Sequence, residues 1–142
     1  IRHTVVTDNA GGLLMKEGLV DFVIVGADRV ALDGQVCNKI GTYLKAIAAK
    51  ENNIPFYVAA PISTIDINFS GDSRNFEIEC RDSNEIMTMT GQDKSGSIIE
   101  VRLGNSPAYN PAFDVTPPEC VSKFICEKGV FNTDEIKNIE GL

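Results

Sequence analysis

A chain of 142 residues with a formal net charge of −7 is long enough to bury one sizeable core and too acidic to track a nucleic-acid backbone. No apolar run approaches the length that spans a membrane and no signal or transit segment is visible; an aromatic content of 7% with no Trp disfavours base-stacking platforms. Cys37, Cys80, Cys120 and Cys126 form no C-x-x-C pair and the single His3 completes no zinc site, so a reduced, cytoplasmic setting without a bound metal is expected.

In chain order, Thr4 to Val6 is a short β-branched run that predicts a strand almost at the first residue, Ile1. A start inside a strand reads as a piece of a longer chain. A helix should follow, capped by Thr7 or Asp8 and ended by Gly18, with Leu13, Leu14 and Met15 on its buried face. Gly11-Gly12 weakens that helix and implies close packing or close approach of a ligand.

Val20 to Val25 is apolar on both faces apart from Asp21, the pattern of a central parallel strand covered by helices. It stops at Gly26-Ala27-Asp28-Arg29, and a small loop carries Asp33-Gly34. A helix is predicted from Asn38 to about Lys50. In it Ile40, Tyr43, Leu44, Ile47 and Ala48 share one face at helical spacing. Ile54 to Ala59 is the next strand, stopped by Pro61. Strand and helix alternate, which predicts an α/β fold: a Rossmann-like three-layer domain with a mainly parallel central sheet. The G-x-G-x-x-G fingerprint of a dinucleotide site is absent after Val25.

From Ser63 to Gly104 the chain is polar and irregular. Turns are expected at Ser70-Gly71-Asp72-Ser73 and Asp93-Lys94-Ser95-Gly96, and short strands at Phe76–Glu79 and Ser97–Val101. Asp82 is placed to cap a short helix reaching Met87. Thr116-Pro117-Pro118-Glu119 reads as a capping box that opens a last helix, with Val121, Phe124 and Ile125 buried and Gly129 at its end. The charged tail from Asn132 should fray.

The candidate chemistry gathers where the Val20–Val25 strand ends. Ligands of open parallel sheets bind outside the carboxyl ends of the strands, and helix N-termini there hold anions. Asp28 would point into that crevice as an acid or base, or serve as a turn residue. Asn38 and Lys39, opening the next helix, would meet a phosphate through free amides and an ammonium; the plain alternative is an N-cap and a solvated lysine. Asp8 and Asp114 are weaker candidates, explained by helix capping and by turn geometry. Cys37 abuts Asn38, but a small apolar filler accounts for it.

The stretch from Ile24 to Thr42 resembles the signature shared by methylthioribose-1-phosphate isomerases, ribose-1,5-bisphosphate isomerases and the regulatory subunits of translation initiation factor 2B. Ala59-Ala60-Pro61-Ile62-Ser63-Thr64-Ile65-Asp66 and Asn110-Pro111-Ala112-Phe113-Asp114-Val115-Thr116-Pro117 are similar to the first of these groups. The resemblance covers nearly the whole chain and corresponds to the C-terminal domain of such an enzyme, making residues 1–142 a single domain of a longer isomerase. It implies aldose–ketose isomerisation of a sugar phosphate, with Asp28 as the acid–base residue and substrate contacts at Asn38 and Lys39. It implies no metal or organic cofactor and a homodimer, with the catalytic cysteine upstream rather than at Cys37. A regulatory binding subunit and a ribose-1,5-bisphosphate isomerase are the alternatives it leaves open.

Overall fold

The computed structural model describes residues 1–68 and 77–142. They fall into two compact units, one of residues Ile1–Glu77 with Phe113–Leu142 and one of Ile78–Ala112.

The fold is α/β, as the sequence predicts. In the larger unit the first sheet contains β1 (Val23–Val25), β4 (Phe56–Ala59), β9 (Lys123–Cys126) and β10 (Gly129–Phe131), in that order. β1 to β4 and β4 to β9 pair in parallel, and β10 closes back on β9 as an antiparallel hairpin. A second sheet runs β5 (Ile65–Asp66), β2 (Arg29–Ala31), β3 (Val36–Lys39), β8 (Phe113–Thr116). Its β2–β3 and β3–β8 pairings are antiparallel and β2–β5 is parallel. Among its described residues the unit has two α-helices, α1 (Ala10–Lys16) and α2 (Thr42–Glu51). The core is built from Val30, Val36, Phe56, Val58, Phe124 and Ile136, all fully buried, with Ala46 and Ala49 of α2 against them.

Several expectations change in the fold. Thr4 to Val6 is not a strand: its side chains are exposed and it joins no ladder, so β-branching without a surface to pack on was not enough. α1 ends at Gly18 as predicted, with φ +70°, but its buried residue is Met15 while Leu13 is exposed. Its cap residue is Asn9, without a side-chain cap bond. Gly12 packs on α2, where an added Cβ would lie 3.9 Å from the Ala48 Cβ. β1 is an edge strand of its sheet rather than a central one, and Phe22 and Ile24 are 54% exposed.

The helix predicted from Asn38 begins at Thr42, because Val36 to Lys39 is strand β3. Gly41, with φ +97°, makes the turn between them. α2 also shows the opposite face from the one expected. Thr42, Ala46 and Ala49 are buried, and Ile40, Tyr43, Leu44 and Ile47 are exposed. Both faces have helical spacing; the small residues permit the closer approach to the sheet.

The predicted last helix does not form. Thr116 is the buried end of β8, Pro118–Cys120 is a single 3-10 turn, and Val121 to Cys126 leads into β9. A proline disfavours helical backbone in the residue before it, so Pro118 keeps Pro117 extended, at φ −71° and ψ 152°. Gly129, with φ +139°, opens β10 instead of ending a helix. Nor does the tail fray. Asn132 and Glu135 form a capping box on the 3-10 helix Thr133–Asn138, and Ile136 and Ile139 are buried.

In the smaller unit α3 (Asn84–Met87) follows Asp82, whose carboxylate accepts from the Asn84 N–H at 2.8 Å as foreseen. β6 (Thr88–Gln92) pairs with β7 (Ile98–Arg102) in an antiparallel hairpin. Its turn is the expected Asp93–Gly96, held by Asp93 Oδ1 accepting from the N–H groups of Ser95 and Ser97. The turn at Ser70–Ser73 and the start of the Phe76–Glu79 strand lie outside the described residues, and Glu77 to Glu79 is not a strand. Among the described residues no helix is long and apolar enough to cross a membrane.

Candidate functional site

β2 and β3 form a hairpin that carries the candidate residues at its open end. The turn is fixed by Gly34, with φ +87°, where an added Cβ would lie 2.7 Å from the Thr133 Cβ. Asp33 Oδ1 accepts from the Gln35 N–H at 3.1 Å, and Ala31 donates to the Gln35 carbonyl at 2.9 Å. Val30 and Val36 bury the inner face. With that end anchored, the other ends of β2 and β3 bring Asp28 and Asn38 together. The Asp28 N–H donates to the Cys37 carbonyl at 3.0 Å, which sets Asp28 beside the Cys37–Asn38 peptide. Three residues named from sequence, Asp28, Asn38 and Lys39, therefore share one edge of this sheet.

Their surroundings differ. Asp28 and Lys39 are exposed and Asn38 is half-buried. Arg29, next to Asp28 in sequence, has its guanidinium 3.9 Å from Asp66 on β5, so it does not pair with Asp28. At that distance and exposure the pair contributes little to stability. Lys39 makes no ion pair among the described residues.

Asp114, read from sequence as a turn residue, is instead on β8 directly across from Asn38. Its Oδ2 accepts from the Gly41 N–H at 2.6 Å and its Oδ1 from the Tyr43 N–H at 3.0 Å. A carboxylate from 73 residues away thus caps α2, which has no side-chain cap of its own. This corrects the expected phosphate cradle. Two of the amides at the start of α2 already have an anionic partner, and Asn38 and Lys39 precede the helix on a strand. No local spacing pointed to Asp114, because its partners are distant in sequence.

Asn38 is held in turn by Thr42. Asn38 Nδ2 donates to Thr42 Oγ1 at 3.0 Å, and Thr42 Oγ1 donates to the Lys39 carbonyl at 2.7 Å. Behind this edge lies Cys37, buried on β3. Burial pushes its thiol above the ordinary value of 9.0; the Asp28 carboxylate adds to the rise, Arg29 opposes it, and Asp114 contributes further. A thiol kept neutral is a poor nucleophile, which fits a filler rather than a reactive cysteine. Asp8 is paired with Lys45 of α2 at 3.2 Å.

Asp28 and Asn38 thus lie at the same ends of β2 and β3, and Lys39 follows Asn38 on the strand with its side chain exposed. The family profile of the initiation factor 2 subunit family matches residues 1–133. A methylthioribose-1-phosphate isomerase from Gluconobacter oxydans (strain 621H) is 52% identical over 137 residues, which is 95% of this chain and 37% of that protein. One from Sulfurimonas denitrificans is 50% identical over 141 residues, covering 96% of this chain and 39% of that protein. The chain therefore spans under two-fifths of these curated relatives. Among solved structures, 5-methylthioribose 1-phosphate isomerase from Pyrococcus horikoshii OT3 superposes with a TM-score of 0.81 at 37% identity, over 97% of this chain and 36% of that one. The delta subunit of translation initiation factor eIF-2B from A. fulgidus gives 0.77 at 38% identity, over 95% and 38%. With the profile matched over nearly all its length and relatives half identical to it, the chain belongs to the initiation factor 2 subunit family.

Proposed function

We propose that this chain is the C-terminal domain of an isomerase that converts 5-methylthioribose 1-phosphate to the corresponding ribulose 1-phosphate. The observation that carries the reading is the meeting of Asp28 with Asn38 and Lys39 at one sheet edge, in a chain about half identical to proteins of that name. The substrate carries its phosphate on the anomeric oxygen, so its ring cannot open to a free aldehyde without assistance. The enzyme must help open the ring and then move hydrogen from C2 to C1. Asp28, reachable from solvent, exchanges a proton in one of those steps. Lys39 meets the phosphate as a point charge, and Asn38 bonds the sugar. The remaining contacts come from other parts of the complete protein, which acts in the cytoplasm as a homodimer.

In the complete protein, Asp28→Asn should lower turnover about 10²–10⁴-fold, the usual loss of a general acid or base, with affinity nearly unchanged. Lys39→Ala should weaken binding by about 1.5–3 kcal/mol, roughly one to two decades in Kd. Turnover assays and titration calorimetry separate the two effects. Near-normal turnover in Asp28→Asn removes Asp28 from the mechanism.

A regulatory subunit that binds a sugar phosphate without converting it is the second reading. The similarity to the A. fulgidus eIF-2B delta subunit supports it, at 38% identity against 37% for the Pyrococcus horikoshii isomerase structure. Binding without turnover by the complete wild-type protein would select it.

A further inference from the structure

Asp114 and Thr42 surround the Asn38–Lys39 pair without belonging to the expected site, and their hydrogen bonds fix more than a helix end. The Thr42 hydroxyl has one proton, and the Lys39 carbonyl accepts it at 2.7 Å. Toward Asn38 the same oxygen can therefore only accept. The Asn38 amide must turn its NH2 inward to Thr42, at 3.0 Å, which leaves the amide oxygen Oδ1 as the outward acceptor. The Thr42 position is fixed in turn from both sides. Asp114 takes the N–H of Gly41 before it and of Tyr43 after it, at 2.6 and 3.0 Å. Thr42 is itself buried, so it has no solvent to substitute for these partners. Bonds of amides to a carboxylate are about twice as strong as neutral ones, which suits a clamp more than a surface cap.

We infer that Asp114 and Thr42 are positioning residues for the isomerisation. Together they set the Asn38 side-chain amide so that its oxygen accepts a hydroxyl of the sugar, and they fix the backbone that carries Lys39. Neither touches substrate. The inference rests on the isomerase reading above, and it names which polarity of group the Asn38 contact recognises: a donor hydroxyl, not an acceptor.

The test uses the complete protein with 5-methylthioribose 1-phosphate and measures kcat, KM and the thermal midpoint of each variant. Thr42→Val removes the hydroxyl at nearly constant size, and Asp114→Asn replaces one carboxylate oxygen with an NH2 facing an N–H. Each should raise KM, by up to about 10²-fold for a displaced substrate contact, with a smaller change in kcat. Thr42→Ser, which restores the hydroxyl, should bring KM back near the wild-type value. Because both residues act through Asn38 and Lys39, the double variant should be little worse than the poorer single one. If Asp114→Asn or Thr42→Val lowers the thermal midpoint while KM stays at the wild-type value, the residues are structural only and the inference fails alone. Multiplying effects in the double variant, or no recovery in Thr42→Ser, overturn it as well. A wild-type protein that does not turn over the sugar phosphate removes the isomerase reading and the inference together, a result separable from the others because it appears before any substitution.

Discussion

Cys37 shows how one residue reports on the electrostatics of the edge it lies behind. Its thiol is raised first by burial and then by Asp28, against the pull of Arg29. Cys120 is raised too, by burial, with Lys50 opposing and Glu119 adding. A raised folded value means that stability is intact below the ordinary thiol value of 9.0 and is lost as pH climbs through the folded value, since the unfolded chain ionises first. The thermal midpoint should therefore fall as pH rises above 9.0, and a Cys37→Ala/Cys120→Ala chain should fall less steeply. Equal slopes, measured by circular dichroism across that range, would mean the thiols ionise as easily folded as unfolded. Asp28 itself was legible from sequence because it follows a strand and a glycine; Asp114 was not, since its partners Gly41 and Tyr43 are 73 and 71 residues away.

At the scale of the element, α2 carries two stripes of helical period, and only one can face its own sheet. The large side chains Tyr43, Leu44 and Ile47 lie outside, and Ala46 and Ala49 are fully buried. Small residues let the helix backbone come close to the strands, and the close fit leaves no room for more volume. Ala49→Leu should therefore cost about 1–3 kcal/mol by overpacking, while Leu44→Gln, away from the sheet, should stay within about 0.5 kcal/mol. Urea unfolding of the two variants decides between the faces; the reverse order would restore the large stripe to the core. Periodicity located this helix but not its orientation, and the prolines at 117 and 118 changed an apparent cap into an extended turn.

At the scale of the whole molecule, exposed apolar side chains are widespread, and some of them lie at an open sheet edge. β1 leaves one edge of its sheet unpaired among the described residues, with Phe22 and Ile24 exposed there and Phe22 resting 5.8 Å from the Tyr57 ring. An open apolar edge is a template for pairing with another chain. The curated relatives are far longer than this chain, which spans 37% of the Gluconobacter protein. Expressed as these 142 residues, the chain should bind a hydrophobic dye and self-associate, and Phe22→Lys with Ile24→Lys should suppress the association. Sedimentation as a single monomer with no dye binding would show that this edge is not sticky.

The α/β class and the strands around Val23–Val25 and Phe56–Ala59 followed from the sequence, as did Asp28 after the first of them, whereas Asn38 and Lys39 were expected to open a helix but lie on β3. Continuous apolar runs and a glycine stop are local signals, and the resemblance attached a chemistry to them. The pairing of β3 with β8, the capping of α2 by Asp114, the inward face of α2 and the ordered tail at Ile136 required the tertiary structure. Each depends on groups distant in sequence meeting in space. A carboxylate cannot reveal from its neighbours which helix it will cap, nor an amphipathic helix which of two apolar stripes its own sheet will accept.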